Sequence, residues 1–339
     1  MTNSDYLFRN SISEKLISSL VTEFTVLHKE FTKKTIPLID SFVKSNFSSL
    51  REKILAEGKD IYTINSFKHR KFIKEWPKLY LPLFEKISLS LTLCEEYGVF
   101  VTALSQGVRA GSPILDVLLN FYMLSWNIAD EVFYLLLGGY GNAAQSRWRS
   151  LYEIFIVSLF IIEKGSDCAV AFMEHAIIDE YNLMKKAEAY KNEIRQRPPT
   201  EKQFKDCISR YNFIISKYGK SFKEPYGWAK IFFSPIPKNR INFTNIEKCV
   251  NQSRMRFYYS DASLSTHPNA YIFYKSNGRI LNNKRGSIPN LWVGHALALT
   301  LVQMASVVCT VIPSSIESLF MISLLIELVE QIGKELPNE

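Results

Sequence analysis

The chain has 339 residues, 47% of them apolar, a net charge of +8, and only 14 glycines and 13 prolines. That composition excludes a disordered, collagen-like or low-complexity protein and supplies core for one large or two ordinary domains. Five cysteines (Cys94, Cys168, Cys207, Cys249, Cys309) lie far apart with no Cys-x-x-Cys. This excludes a zinc-ribbon pattern and a secreted disulfide framework, and fits a reducing cytoplasm.

Met1-Thr2-Asn3-Ser4-Asp5 has no basic stretch leading into an apolar one, so no signal peptide is expected. Ser11 to Phe31 places Ile12, Leu16, Ile17, Leu20, Phe24 and Leu27 near one helical face, and Thr35 to Ala56 continues that pattern. Asp60 to Trp76 is basic and aromatic, and Pro77 and Pro82 then interrupt it. Leu83 to Tyr97 reads as helix. Gly107, Gly111 and Pro113 mark the segment 98–113 as the expected boundary. An N-terminal helical region over 1–98 and a helical bundle over 113–335 follow from that division.

Ile114 to Leu137 is a strongly apolar helix carrying Asp116, Asp130 and Glu131, and Gly138-Gly139-Tyr140-Gly141 ends it. Asn142 is expected to cap the next helix, with Gln145 completing a capping box. A third helix runs from about Asp167 to Ile194, and Pro198-Pro199-Thr200-Glu201 breaks and restarts the chain. Ser221 to Phe243 reads as irregular. Asn277-Gly278 between β-prone flanks predicts a hairpin near 271–281. Leu291 to Val311 and Ser315 to Gly333 close the chain as apolar helices. The stretch Leu291 to Pro313 is long enough to span a membrane, but it carries His295 and Gln303 and lacks basic anchors. It is read as a buried core helix, with no stable membrane insertion. The fold class is all-α, a multi-helix bundle with one short hairpin.

Two stretches put polar groups where a helix should be apolar. In Leu151-Tyr152-Glu153-Ile154-Phe155-Ile156-Val157, one carboxylate sits in a hydrophobic run. A helix apolar all round is buried, so Glu153 is expected to be withdrawn from water and to need a partner. Arg149, one turn earlier, is the expected partner. In Arg256-Phe257-Tyr258-Tyr259-Ser260-Asp261-Ala262-Ser263-Leu264-Ser265-Thr266-His267, helical spacing puts Arg256, Tyr259, Ser263 and His267 on one face. Charge is uneven as well. From Lys185 to Arg285 there are about 21 Lys/Arg against about 7 Asp/Glu, so this third of the chain is strongly basic and points to a polyanion.

Arg149-x-x-x-Glu153, Tyr226-Gly227-Trp228 and Tyr259-x-x-x-Ser263-x-x-x-His267-Pro268 resemble a bacterial family known as domain of unknown function 5677. The resemblance covers roughly Ile114 to Thr310. It implies a helical protein with a central Arg/Glu helix and a later Tyr/Ser/His helix, and it implies no established reaction.

Arginine offers phosphate a rigid fork of donors, and histidine exchanges a proton near neutral pH. Together these suit metal-independent RNA cleavage, with a base at the 2′-hydroxyl and a cation on the phosphorane. His267 is the expected acid/base, Arg149 the charge stabiliser and Glu153 the orienting group, with Tyr259 and Ser263 assisting. Arg147, Arg254, Arg256 and Trp228 are expected to bind substrate. HEPN-type helical ribonucleases are similar in style, but their Arg-x4–6-His spacing is missing here. His175 and Asp179 with Glu174, Glu180, Asp130, Glu131 and Glu153 form a weaker metal candidate, because the Glu-x-x-His spacing of di-iron bundles is missing. No metal and no cofactor are expected. The leading expectation is a cytoplasmic nuclease-like or nucleotide-acting effector, in the setting of bacterial phage defence or toxins. The alternative is a non-enzymatic sensor or scaffold that binds a polyanion or protein partner through its basic third. In that case the apolar C-terminal helices supply a homo-oligomer interface.

Overall fold

The prolines that punctuate the first half of the sequence start helices rather than break them. Pro82 and Pro113 stand in the first turns of helices, where a missing N–H leaves no hydrogen bond unmade. Pro77 opens a 3₁₀ turn in the same way. The computed structural model describes residues 36–193, 199–266, 290–313 and 315–337, together with Thr22 and Ala270. His267, Pro268 and the expected hairpin at 271–281 lie outside the described residues, as does most of the expected helix from Ser11 to Phe31. Every regular element among the described residues is helical.

Contacts divide the chain into two units, Met1–Glu75 and Trp76–Glu339. In the first, α1 (Ile36–Glu75) is a single helix of 40 residues, about 60 Å long. It joins the amphipathic stretch to the basic, aromatic one without interruption.

The second unit contains α2 (Leu81–Leu104), α3 (Pro113–Leu137), α4 (Gly141–Lys164), α5 (Ser166–Ala189) and α6 (Glu201–Tyr218). After these come the short α7 (Gly227–Lys230) and α8 (Phe243–Cys249), then α9 (Arg256–Thr266), α10 (Trp292–Cys309) and α11 (Ile316–Lys334). The boundary expected at 98–113 therefore falls inside this unit. Gly98 lies within α2, where the ring of Tyr122 occupies the space a Cβ would need (2.9 Å). It is a packing glycine, and α2 belongs to the bundle.

The tight turn after α3 makes α3 and α4 neighbours, and α10 packs against both. On the other sides α2 joins α3 and α11, α5 joins α3, and α8 and α9 lie on α4. Trp148 of α4 is fully buried, stacks on Tyr152 and donates its indole N–H to Thr300 of α10 at 3.1 Å. A large aromatic whose one polar atom is satisfied fixes helix position as well as contributing burial. Tyr122 likewise donates to the Cys94 carbonyl (2.6 Å) and Trp76 to that of Leu136 (3.0 Å).

Helix starts follow local chemistry with one correction. Thr200 and Gln203 form a capping box at α6. Asn142, however, is inside α4, whose cap position is Tyr140. Its side-chain oxygen instead accepts from Asn290 at 2.7 Å. Two stretches, Tyr62–Leu104 and Trp292–Cys309, are long and apolar enough to cross a membrane by length and composition. In the second, 67% of the apolar window is buried against other helices. Burial also pushes the thiols of Cys94 and Cys168 up to about 12, which leaves them unreactive at neutral pH.

Candidate functional site: two interleaved Arg–Glu–Tyr sets

Helices α4 and α9 pack together and bring the two unusual stretches of sequence side by side. Arg149 and Glu153, one turn apart on α4, form an ion pair with Nη2 to Oε1 at 3.0 Å. The Tyr259 hydroxyl of α9 completes the set. It donates to Glu153 Oε1 at 2.6 Å and accepts from Arg149 Nη2 at 2.9 Å. The Arg149 guanidinium also lies over the Tyr259 ring, 4.8 Å from its centroid. One phenol thus uses its proton, a lone pair and its π face on the same two charged groups.

Glu153 is not sealed off as its sequence context suggests. Its side chain is 34% exposed and that of Arg149 is 25% exposed, whereas Tyr259 is buried. The fully buried carboxylate is Glu247 of α8, which sequence reasoning missed. Arg256 pairs with Glu247 Oε2, and the Tyr152 hydroxyl lies 2.9 Å from its Oε1. That hydroxyl is also 2.7 Å from the Gln252 carbonyl, so two acceptors share one phenolic proton.

The two sets interleave. Arg149, Tyr152 and Glu153 come from α4, and Arg256 and Tyr259 from α9. The rings of Tyr152 and Tyr259 are 5.8 Å apart, and Phe243 stacks on Tyr259 at 4.9 Å. Arg256 lies 5.2 Å from the Tyr259 centroid, so guanidinium groups from two helices meet one ring. A signal for Glu247 exists in the sequence. Asn242 and Asn245 form a capping box that starts α8, and Glu247 then falls one turn after the buried Phe243, on the same face.

Electrostatics keep the phenols neutral. Burial, reinforced by the Glu153 carboxylate as acceptor, holds the Tyr259 hydroxyl well above the usual tyrosine range, although Arg149 pulls the other way. Burial and Glu247 do the same to Tyr152. For Arg149, burial opposes the charge, but Tyr259 and Glu153 outweigh it and hold the guanidinium more firmly protonated. Tyr259 is therefore a hydrogen-bond donor at neutral pH and not a base.

Tyr226 is a second residue that sequence reasoning underused. Its backbone is left-handed (φ 59°, ψ 18°), which is strained for a bulky side chain and concentrates at functional sites. Its phenol is raised by burial and then by the nearby Glu153, so it belongs to the same electrostatic neighbourhood. Gly227 makes that turn possible. A Cβ there would stand 2.3 Å from the Phe222 carbonyl oxygen.

Other expected site residues lie elsewhere. Trp228 is buried, edge-on to Phe160 and Phe172, and is a core residue rather than a substrate contact. Arg147 points away from Arg149 on α4 and pairs with Glu131 of α3. Ser263 donates to the Tyr259 carbonyl of its own helix at 2.9 Å and does not join the network. Arg254 is exposed beside the second set, close enough to favour ionisation of Tyr152 slightly. Gln145 donates to Asp261 at 2.6 Å, a further tie between α4 and α9. His267 lies outside the described residues.

The acidic groups of the weaker metal candidate are separated by their own cations. Glu131 pairs with Arg147, Glu174 with Lys217 (2.8 Å) and Glu180 with Arg210 (2.9 Å). His175 Nδ1 is 3.6 Å from Asp179. Among the described residues no three His, Cys, Asp or Glu side chains converge.

The profile of the family described as "Family of unknown function (DUF5677)" matches residues 115–284, half of the chain, and these residues include both Arg–Glu–Tyr sets and Tyr226. No curated protein and no solved structure matches the chain. With both parts of the site inside the matched half, the chain belongs to the DUF5677 family.

Proposed function

We propose that the Arg149–Glu153–Tyr259 set is the working site of a protein that acts on an RNA phosphodiester or a nucleotide phosphate. One observation carries this reading: the Nε of Arg149 is a buried donor with no acceptor, on a guanidinium whose side chain still reaches solvent. A buried unpaired donor costs about 1–3 kcal/mol, and a phosphate oxygen admitted by a rearrangement of the side chains that cover it would satisfy it. Arginine suits that task because its fork offers further donors beside the one spent on Glu153 and Tyr259.

The roles follow from the protonation states. Arg149 binds and neutralises the phosphate. Tyr259, held neutral, donates and orients. Glu153 is the part-exposed carboxylate able to accept a proton from an attacking hydroxyl. His267 is the proposed acid for the leaving oxygen. In ribonucleolytic cleavage the 2′-hydroxyl proton passes to the base, the O2′–P bond forms and the P–O5′ bond breaks. The departing O5′ takes its proton from the acid. Each carboxylate in the network already faces a guanidinium, which disfavours a cation there, so the chemistry proposed needs no metal. The basic third from Lys185 to Arg285 steers the polyanion.

A second reading rests on a different observation: both arginines are already paired, Arg149 with Glu153 and Arg256 with Glu247. On this reading the network only locks α4 to α9, and the basic surface of a scaffold holds an acidic partner. Incubating the full chain with total cellular RNA and with nucleotides, with and without chelator, separates the two. The enzyme reading expects chelator-resistant turnover that Arg149→Ala and His267→Ala abolish while helicity and melting temperature are retained. Intact RNA and nucleotides with wild type, or turnover lost on chelation, overturns it.

A further inference from the structure

Among the described residues two non-glycines have a left-handed backbone, Asn251 and Tyr226. Asparagine tolerates that region, whereas a bulky ring is strained in it. Packing on both sides holds Tyr226 there. Trp228, two residues on, stands edge-on to Phe160 of α4 at 5.8 Å. Two residues before, the Glu224 carbonyl oxygen lies 3.2 Å from His175 Nε2 of α5. Phe160 stands two turns beyond Glu153 on the same face of α4, about 10 Å along the axis. The Tyr226 phenol, held up by burial, also feels Glu153 and Arg149, which pull it in opposite directions. Its hydroxyl nevertheless makes no hydrogen bond among the described residues and is open to solvent. So is Arg149 Nη1, because Nη2 makes both the ion pair with Glu153 and the bond to Tyr259. Two accessible donors without partners thus stand in the neighbourhood of Glu153.

We infer that the site takes an internal phosphodiester of an RNA strand, Arg149 Nη1 and the Tyr226 hydroxyl each donating to one non-bridging oxygen. This rests on the reading of Arg149 as a phosphate site and narrows it, since a terminal phosphate does not fit. Two donors match the two non-bridging oxygens of a diester, where a terminal phosphate presents three oxygens. Charge selects the diester as well. The interleaved sets hold two guanidinium groups, each facing a carboxylate, and phenols that are neutral at pH 7, so they sum to zero. A diester adds one negative charge, which the free edge of Arg149 meets. A terminal phosphate adds about 1.5–2, and the excess stands beside the Glu153 carboxylate, where like charges repel. A phenol is the fitting second donor, because it bonds the anion without adding charge or drawing Arg149 away from Glu153.

The test is the anisotropy of a fluorescent 2′-O-methyl pentaribonucleotide titrated with the full chain; lacking a free 2′-hydroxyl, this probe binds without being cleaved. Unlabelled competitors are a 2′-O-methyl dinucleotide, which has one diester, and a 2′-O-methyl nucleoside 3′-phosphate, which has one terminal phosphate. The dinucleotide is expected to displace the probe at about 10-fold lower concentration, whereas a basic surface with no built site favours the more charged ligand. Tyr226→Phe is expected to weaken probe binding about 10-fold with the melting temperature unchanged, because the hydroxyl has no partner in the fold. Arg149→Ala is expected to weaken it further with helicity retained. Unchanged affinity in Tyr226→Phe, or a 3′-phosphate that competes as well as the dinucleotide, overturns the inference. The phosphate-site reading survives either result if Arg149→Ala still lowers affinity. Absence of Arg149-dependent binding overturns both. Diester binding that depends on Tyr226, without turnover of RNA, supports the inference and removes the nuclease chemistry alone.

Discussion

The same three residue types occur twice where α4, α8 and α9 meet, and their carboxylates differ in exposure. Glu247 with Arg256 and Tyr152 is closed, its carboxylate fully buried; Glu153 with Arg149 and Tyr259 is half open. A buried carboxylate must be paired, so the closed set is bound to act as a structural fastening. A half-open carboxylate can be hydrated and contributes little to stability, so its place beside a strained Tyr226 and an unsatisfied Arg149 donor calls for another explanation. Chemistry alone does not separate a fastening from a site; exposure does.

If that contrast is right, the largest stability effect belongs to the closed set. Glu247→Ala should cost about 3–5 kcal/mol in urea unfolding, because it leaves the part-buried Arg256 without its partner and the Tyr152 hydroxyl with only the Gln252 carbonyl. A loss under 1 kcal/mol would break the distinction. Gly227→Ala comes next, at about 2–3 kcal/mol, since its methyl group meets backbone rather than a side chain that can move. Tyr226→Asn at the neighbouring position should lose less stability than its ring burial suggests, because asparagine tolerates the left-handed backbone.

Tyr259→Phe should cost about 1–2 kcal/mol by leaving Glu153 and Arg149 to each other. It also sharpens a pH test. Tyr152 and Tyr259 are raised above the ordinary value of 10.0, so above pH 10 the unfolded chain releases phenolic protons that the folded chain keeps. Stability should be intact below pH 10 and fall above it, by up to about 1.4 kcal/mol per pH unit per phenol. Melting temperatures between pH 9 and 11 should therefore fall less steeply in Tyr259→Phe than in wild type. Equal slopes would remove Tyr259 from the account. The smallest stability effect is expected for Glu153→Gln, at about 1 kcal/mol or less.

Most helices were legible from apolar periodicity and from proline and glycine punctuation, since long segments such as Pro113–Leu137 and Gly141–Lys164 repeat a buried face many times. The Arg149–Glu153 pair was legible too, because helical spacing alone brings those side chains together. The domain boundary was not. Gly98 looks like a break in sequence, and only the ring of Tyr122, brought in by tertiary packing, shows why glycine is there. Trp228 was misassigned for a related reason. In sequence Trp228 is part of the Tyr226-Gly227-Trp228 motif, and only packing against Phe160 and Phe172 shows it as core. Glu247 escaped notice because its helix is only seven residues long, too short to display a period.

The comparison of the two carboxylates is tested most directly by making Glu153→Gln and Glu247→Gln in parallel and measuring both unfolding free energy and turnover of RNA and nucleotide. The account predicts that Glu153→Gln unfolds within about 1 kcal/mol of wild type yet loses turnover, while Glu247→Gln loses more stability and keeps turnover in the fraction that folds. Turnover retained in a fully folded Glu153→Gln protein, or none in wild type, would contradict it.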